Sequence, residues 1–244
     1  MISHVWLPLR RTMPATFPKQ LISGYRSFAE HRLPTEQSRY SELADGGQSP
    51  EVMVIGCCDS RVSPEVIFDA GPGELFVVRN VANLVPPYAP DGEAHGVSSA
   101  LEFAVQVLKV KHIVVLGHAQ CGGIRALVQG PAPLSPGDFI GKWMSLLAPA
   151  MEGEGRDPRE SEQDFITRIE KKAVETSLKN LMTFPCVRIL VERGKLLLHG
   201  AYFGVSHGSL SILDRASGEF QTVTQTLPPG YEGALPHPLH GHSN

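Results

Sequence analysis

The sequence has little cysteine, little charge imbalance and no long hydrophobic run. Four cysteines in 244 residues are too few for a disulfide scaffold and favour intracellular thiols or metal ligands. The 22 basic and 25 acidic residues leave a formal net charge of −3, which argues against nucleic acid or an anionic membrane as the main partner. No apolar run approaches the roughly 18–20 residues of a transmembrane helix. We therefore expect neither a nucleic-acid nor a membrane partner.

What is present is the composition of a folded domain. With 42% hydrophobic and 19% charged residues, the chain has enough apolar side chains for a full core, which excludes disorder as the main state. No internal repeat and no shift in composition separates a second domain. We predict an N-terminal extension over residues 1–16, a single folded domain over 17–225 and a flexible C-terminal arm over 226–244.

The N-terminal extension bears on the cellular compartment. Arg10 and Arg11 follow a short apolar stretch, whereas a secretory signal places its charges before a longer apolar core. This order and the cysteine usage predict a cytoplasmic protein. Three histidines of the C-terminal arm are interpreted as part of a solvated tail rather than as a metal site: His237, His240 and His242.

Three short, continuously apolar runs are typical of strands buried on both faces of a parallel sheet. They cover residues 52–55, 75–78 and 113–116. Amphipathic helix patterns at 97–108 and 121–128 complete a strand–helix alternation, which is typical of an α/β domain with right-handed crossovers. A hairpin around His207-Gly208 predicts an antiparallel edge near 210–213. The predicted fold is therefore a mostly parallel central sheet with flanking helices.

Further helices are predicted outside this alternation. They cover residues 18–33, 35–44, 138–151 and 161–182. Ser161 and Asp164 resemble a capping box at the start of the last one, and Phe184-Pro185 ends it.

Two of the predicted strands end in the same way, with a glycine followed by side chains that bind metals. Gly56 leads into Cys57-Cys58-Asp59-Ser60-Arg61, and Gly117 leads into His118-Ala119-Gln120-Cys121. Ligands of open parallel sheets bind beyond the carboxyl ends of the strands, so these side chains converge if the two strands are neighbours. Cys, His and carboxylate are zinc ligands, and three of them with one open position form a catalytic zinc site.

Two simpler interpretations compete with a catalytic site. A lone cysteine after a buried strand is most often a small core residue. A structural zinc site is usually closed by four Cys or His ligands in close pairs, and only His118-x-x-Cys121 is such a pair here. The other half contributes Asp59 and Arg61, a couple for which a structural zinc site has no use.

The pattern C-x-D-S-R, followed about sixty residues later by H-x-x-C-G-G, resembles the β-class carbonic anhydrases. The likeness starts near Phe17 and covers most of the chain. It continues through residues 46–50, 73–83, 99–123, 184–188 and 198–203. It implies a zinc enzyme that hydrates CO2 reversibly to bicarbonate and a proton. It also implies a dimer, or a dimer of dimers, whose N-terminal helices wrap the partner.

The resemblance also assigns the zinc ligands. Position by position, Cys57, His118 and Cys121 match the family's ligands for one zinc ion per chain. Cys58 then falls at the variable position between the ligand and Asp59. Its thiol is chemically equivalent to that of Cys57, and only the family's spacing excludes it.

The catalytic and substrate-binding positions follow in the same way. Asp59 and Arg61 match the catalytic pair, and Asp59 is a metal ligand only in a closed state. Phe103 departs from the tyrosine that many relatives carry. The substrate-binding positions of the family match Gln48, Phe76, Val81 and Phe103, and Gly122 and Gly123 at the start of the next helix are two further candidates. For the two glycines, close packing between loop and helix is the simpler interpretation, and anion binding at a helix N-terminus is the alternative.

The resemblance further indicates an open state. Family members that bicarbonate inhibits carry a Trp three residues before the first ligand Cys, an Arg in R-N-V-A-N and a Tyr in a late strand. Those positions are Val54, Arg79 and Phe203 here, so two hydrogen-bond donors for a bound bicarbonate are missing. We therefore expect the open, unregulated type, with Asp59 beside Arg61.

Two other functions fit the same motifs. The first is a zinc hydrolase of carbonyl sulfide or carbon disulfide, which would use the same site. The second is a zinc-binding regulatory protein without turnover, against which the intact Asp59 and Arg61 argue. Direct assays with each substrate separate these functions.

Overall fold

The computed structural model describes residues 17–130, 133 and 135–223. The predictions for residues 1–16, for the C-terminal arm and for its three histidines lie outside the described residues. The chain divides between Gln48 and Ser49 into two compact units. A single domain over 17–225 stays a prediction. Among the helices of the described residues, none is both long and apolar enough to cross a membrane.

The first unit is a helical path with one short irregularity. Helix α1 (Lys19–Ser27) passes through a π-helical turn (Phe28–Arg32) into α2 (Leu33–Gly46). The gap at Pro34 between the two predicted helices is absent, because the π-helical turn continues directly into α2, whose first turn contains Pro34. Gly47 follows with a φ of 76°, which favours glycine, and the helix ends there.

The second unit is built on a six-stranded sheet with the order β2-β1-β3-β4-β5-β6. The first four of these strands are parallel, and the last two pairings are antiparallel. This confirms the predicted fold class. The strands are β1 (Val52–Cys57), β2 (Leu75–Asn80), β3 (His112–His118), β4 (Leu197–Gly204), β5 (Ser209–Leu213) and β6 (Phe220–Thr222). Sequence analysis missed β6 because its three residues are too few to show a period.

Helices of the second unit cover the sheet and carry its crossovers. They are α3 (Pro64–Ile67), α4 (Gly96–Glu102), α5 (Gly122–Gln129), α6 (Phe139–Met144), α7 (Ala148–Met151), α8 (Glu162–Leu181) and α9 (Pro185–Glu192). A π-helical turn over Phe103–Leu108 extends α4, and a 3₁₀ turn over Ser145–Leu147 joins α6 to α7. Sequence analysis missed α3 and α9. Pro185 does end α8 as predicted, but a proline suits the first turn of the next helix equally well.

The core lies on both faces of the sheet. On one face, Met53, Ile55 and Ile113 are fully buried with Val174 of α8. On the other face lies a smaller cluster that includes Val54, Leu116 and Ala201. Fully burying one such aliphatic side chain contributes about 1.5–3 kcal/mol, so the two faces together hold the strand ends in fixed relative positions.

Helix α8 lies unusually close to the sheet because two glycines face it. A Cβ atom at Gly117 would lie 2.5 Å from Val174 Cγ2, and one at Gly200 would lie 3.0 Å from Val174 Cγ1. The helix begins at Ser161, whose Oγ accepts a hydrogen bond from the Asp164 backbone N–H at 3.0 Å. Two polar side chains of α8, Glu170 and Ser177, are buried in this closely packed region.

Candidate metal site and its surroundings

The parallel pairing of β1 with β3 brings three candidate ligands together. Gly56 lies opposite Leu116, so both strands end at the same edge of the sheet. The ligand atoms of Cys57, His118 and Cys121 all lie within 4.8 Å of one another, and all three side chains are buried. We call residues 57–61 the first ligand loop and residues 118–123 the second ligand loop.

The His118 ring is prepared to bind a metal. Its Nδ1 lies 2.9 Å from the Ala119 carbonyl oxygen, which can only accept, so the proton is on Nδ1. Its Nε2 is buried and has no hydrogen-bond partner within the described part of the chain. A buried polar atom without a partner is costly, and a metal ion bound at Nε2 would remove that cost. The residues therefore fit the zinc ion that the ligand chemistry indicates.

The two buried thiols, Cys57 and Cys121, change each other's pKa in opposite directions. The neighbouring Cys121 thiol lowers the pKa of Cys57 to about 4 against the opposing effect of burial, and the Ala82 amide donates to Cys57 Sγ at 3.3 Å. The interaction with Cys57, together with burial, raises the pKa of Cys121. The pair thus releases one proton readily and holds the second one. A divalent cation would take the place of that second proton.

Asp59 and Arg61 form a two-point ion pair beside these ligands. Arg61 Nε donates to Asp59 Oδ1 at 2.9 Å, and Arg61 Nη2 donates to Asp59 Oδ2 at 2.7 Å. The Arg61 backbone N–H donates to Oδ1 as well, at 3.0 Å. The Arg61 guanidinium holds the pKa of Asp59 well below its usual range, against a smaller effect of burial. Arg61 Nη2 also donates to the Gln120 carbonyl at 3.1 Å and so links the two ligand loops.

Arg79 supports the first ligand loop from β2. Its Nε donates to the Cys57 carbonyl at 2.7 Å, and its Nη2 donates to the Asp59 carbonyl at 2.6 Å. Sequence analysis considered this side chain only as the remaining part of a bicarbonate site. The structure gives it a different role, which is to hold the backbone on both sides of Cys58.

Glu170 supports the second ligand loop from α8, and sequence analysis missed it. This carboxyl group is only 2% exposed. Its Oε1 accepts the Cys121 backbone N–H at 2.8 Å, and its Oε2 accepts the Tyr202 hydroxyl at 2.6 Å. Burial raises the pKa of Glu170, although the Tyr202 hydrogen bond opposes this. The available signal was its position four residues from both Ile166 and Val174, in the middle of a buried helix face.

Only one of the two glycines that begin α5 packs closely against Val81. A Cβ atom at Gly123 would lie 2.7 Å from Val81 Cγ1, whereas one at Gly122 would meet open space. Close packing therefore accounts for Gly123 and not for Gly122. A cavity of about 550 Å3 lies next to Val81 and has mainly apolar walls, with Cys58 and Trp143 among its lining residues.

The remaining predicted substrate residues lie in two places. The rings of Phe76 and Phe103 contact each other with centroids 5.9 Å apart, and Phe103 is 44% exposed. Gln48 belongs to the first unit.

Cys58 is exposed, and its thiol is not a member of the Cys57, His118 and Cys121 cluster.

The geometry can be compared with known proteins. A model of the carbonic anhydrase family matches residues 52–210. The chain is 38% identical to beta carbonic anhydrase 3 of Arabidopsis thaliana over 199 residues, which are 80% of this chain and 76% of that protein. It is similar to the solved structure of the beta-carbonic anhydrase CcaA, with a TM-score of 0.74 and 27% identity over 86% of this chain and 93% of that one. It is also similar to the solved structure of a tetrameric beta-carbonic anhydrase of Sordaria macrospora. The TM-score is 0.68 and the sequence identity is 31%, over 80% of this chain and 95% of that one.

Proposed function

The chain belongs to the β-class carbonic anhydrase family and hydrates CO2 reversibly to bicarbonate, and from this premise we propose that Cys57, His118 and Cys121 bind one zinc ion per chain. The observation that carries this proposal is the buried, unpartnered Nε2 of His118 beside two thiols. Two cysteines and one histidine are a zinc ligand set that leaves one position open for the reaction. A bound zinc ion supplies the Lewis acidity that makes water a nucleophile near neutral pH.

We further propose that Asp59 orients the reacting water. An ionised carboxylate offers about four acceptor sites, and Arg61 fills two on Oδ1 and one on Oδ2. One acceptor site on Oδ2 is therefore left for a water hydrogen. Asp59 held in this way turns a lone pair of the water towards the carbon of CO2, while Arg61 keeps the carboxylate ionised and away from the metal ligands.

The open, unregulated type is also a proposal, and three side chains support it. Val54 is buried in the same apolar cluster that Phe203 packs against, so neither position offers a donor to bicarbonate. Arg79 uses its Nε and Nη2 on the carbonyls of the first ligand loop. A bicarbonate ion moved into this region would lose its hydration without new hydrogen bonds to replace it.

For the substrate we propose the pocket positions that the family resemblance assigns, together with Gly122. CO2 is apolar, and Val81 at the wall of an apolar cavity and the Phe76–Phe103 pair are suited to contact it. Gly122, with open space where a side chain would stand, leaves room for bicarbonate, whereas Gly123 serves close packing. Gln48 is proposed to donate a hydrogen bond to the substrate.

Self-association and compartment complete the proposal. In the described part of α1 and α2 no residue is buried, and the apolar side chains of Phe17, Leu21 and Tyr25 are largely exposed. We propose that these helices pack against a second copy of the chain, as a dimer or a dimer of dimers; the Sordaria relative is described as tetrameric.

All four cysteines are free, which supports a cytoplasmic location.

A stopped-flow CO2 hydration assay on zinc-loaded protein, with metal-free protein as the control, tests the function. We expect activity only with zinc, rising with pH through a single ionisation and unchanged in slope when bicarbonate is added. A steep, bicarbonate-sensitive pH profile would contradict the open type and leave the zinc assignment intact. Parallel assays with carbonyl sulfide and carbon disulfide measure the preference for CO2.

A further inference from the structure

We propose that Glu170 is a positioning residue of the metal site and fixes the Cys121 ligand through its backbone amide. This inference rests on the proposed assignment of Cys121 as a zinc ligand. The Glu170 carboxyl group is not a member of the cluster of ligand atoms. It acts through the second ligand loop, and it comes from α8, whereas the proposed ligands lie at the ends of β1 and β3 and just before α5.

The carboxylate is held firmly enough to act as an anchor. Helix α8 packs against Gly117 at a distance that leaves no room for a Cβ atom, so the helix cannot slide without disturbing β3. The second carboxylate oxygen is held at 2.6 Å by the hydroxyl of Tyr202, which is itself buried. The Tyr202 ring packs edge-on against Phe220, with centroids 6.1 Å apart. Both oxygens of Glu170 therefore have fixed partners.

The Glu170 hydrogen bond affects the position of the Cys121 sulfur because both belong to one residue. The Cys121 backbone N–H donates to Glu170, and the Cys121 Sγ atom lies in the cluster with the ligand atoms of Cys57 and His118. Cys121 is the residue that precedes the first turn of α5, with φ −67° and ψ 120°. If the Glu170 bond were lost, the peptide before Cys121 could rotate, and the Cβ and Sγ atoms would move relative to His118.

The simpler interpretation is that Glu170 only satisfies a buried N–H and stabilises the fold. Ser177 on the same helix supplies the matched comparison, because it does just that. It is 1% exposed, its Oγ donates to the Asn83 carbonyl at 3.0 Å and accepts the Val85 N–H at 3.2 Å, and none of these groups belongs to a ligand loop. Removing either side chain costs stability, but only the loss of Glu170 should alter the metal.

The experiment measures zinc release to a chelator and the visible spectrum of the cobalt-substituted protein. Glu170→Leu is expected to release zinc about 10–100-fold faster and to shift the cobalt–thiolate bands, as the loss of a residue that orients a ligand does. Glu170→Gln keeps an oxygen acceptor for Cys121 and should release zinc at a rate within a few-fold of the wild type. Ser177→Ala should lower the melting temperature and leave the release rate and the spectrum unchanged.

The outcomes separate this inference from the proposed function. Wild-type protein without zinc would overturn the ligand assignment itself. Zinc-bearing wild type with the same release rate in Glu170→Leu would overturn only the positioning role, as would equally fast release in the Leu and Gln variants. If Glu170→Leu does not fold, Tyr202→Phe decides. Freeing one carboxylate oxygen should speed release several-fold, and a rate equal to that of Ser177→Ala overturns the inference.

Discussion

The two ligand loops are held in opposite ways. A cation from β2, Arg79, holds the first loop by two backbone carbonyls, and an anion from α8, Glu170, holds the second loop by a backbone amide. The loops also differ in what they carry beside their candidate ligands. The candidate ligands of both loops are buried, but the first loop adds the half-buried Asp59 and the exposed Arg61, whereas the second loop adds the exposed Gln120 and Gly122.

This difference shows how one site can combine a fixed part and a reactive part. Carbonyl oxygens need a donor and amide groups need an acceptor, so each loop takes its support from a side chain of the matching charge. The second loop carries two of the proposed ligands, His118 and Cys121. The first loop carries one proposed ligand, Cys57, together with Asp59 and Arg61, which we propose to act on the reacting water. Substitutions on the two loops should therefore have different consequences.

The largest expected effect does not distinguish the loops. Cys57→Ser, His118→Ala and Cys121→Ser should each lose most of the zinc, because each removes one of three protein ligands. Metal analysis of the purified variants measures this. Full occupancy in any one of them would remove that residue from the ligand set and show that the loops contribute unequally.

The next effect belongs to the first loop alone. Asp59→Asn and Arg61→Ala should reduce CO2 hydration by about 10²–10⁴-fold and leave zinc bound, because the pair orients the reacting water without being needed as a ligand. Stopped-flow rates together with metal content test this. Near-normal rates in both variants would contradict the role of the pair and remove the functional contrast between the loops.

The support of the first loop should matter less than its catalytic pair. Arg79→Gln removes two charge-assisted hydrogen bonds to carbonyls, each worth about 1.5–3 kcal/mol in general, so the free energy of unfolding should fall by a few kcal/mol. Arg79→Lys should recover part of this by reaching one carbonyl. Denaturant unfolding of the zinc-loaded variants measures it. Unchanged stability in Arg79→Gln would mean that the first loop needs no support from β2.

The smallest effect sharpens the comparison within the first loop. Cys58→Ser should keep zinc and activity within roughly twofold of wild type, because the exposed Cys58 thiol lies outside the ligand cluster. Cys57→Ser in parallel is the matched variant, since it changes the same atom one residue earlier. If Cys58→Ser loses zinc while Cys57→Ser retains it, the assignment of the ligand is wrong by one residue.

The sequence was sufficient to predict features that depend on residues close together along the chain. The runs before Cys57 and His118 predict buried parallel strands, and the structure has them as β1 and β3, paired side by side. The spacing between Asp59 and Arg61 matches a known pair, and the structure joins the two side chains. Their roles as ligand neighbours and catalytic groups stay predictions.

The sequence was not sufficient to predict contacts that depend on tertiary packing. Glu170 is 49 residues from Cys121, and no local pattern joins a carboxylate in one helix to an amide in a distant loop. Arg79 was visible as part of a motif, but the acceptors of its hydrogen bonds were not. Helix α9 and the three-residue β6 were missed for local reasons, since a proline such as Pro185 can both end one helix and begin the next, and very short strands have no period.

The pairing of β1 with β3 also sets the order of assembly. Cys57 and Cys121 meet only after two parallel strands and the crossover between them have formed, and such non-local contacts arise late and slowly during folding. A cation that needs both halves finds no complete site in the unfolded chain, so it binds the native state and adds stability by mass action. Zinc should therefore lengthen the lifetime of the folded protein by slowing its unfolding, while the rate of folding stays as the polypeptide alone determines it.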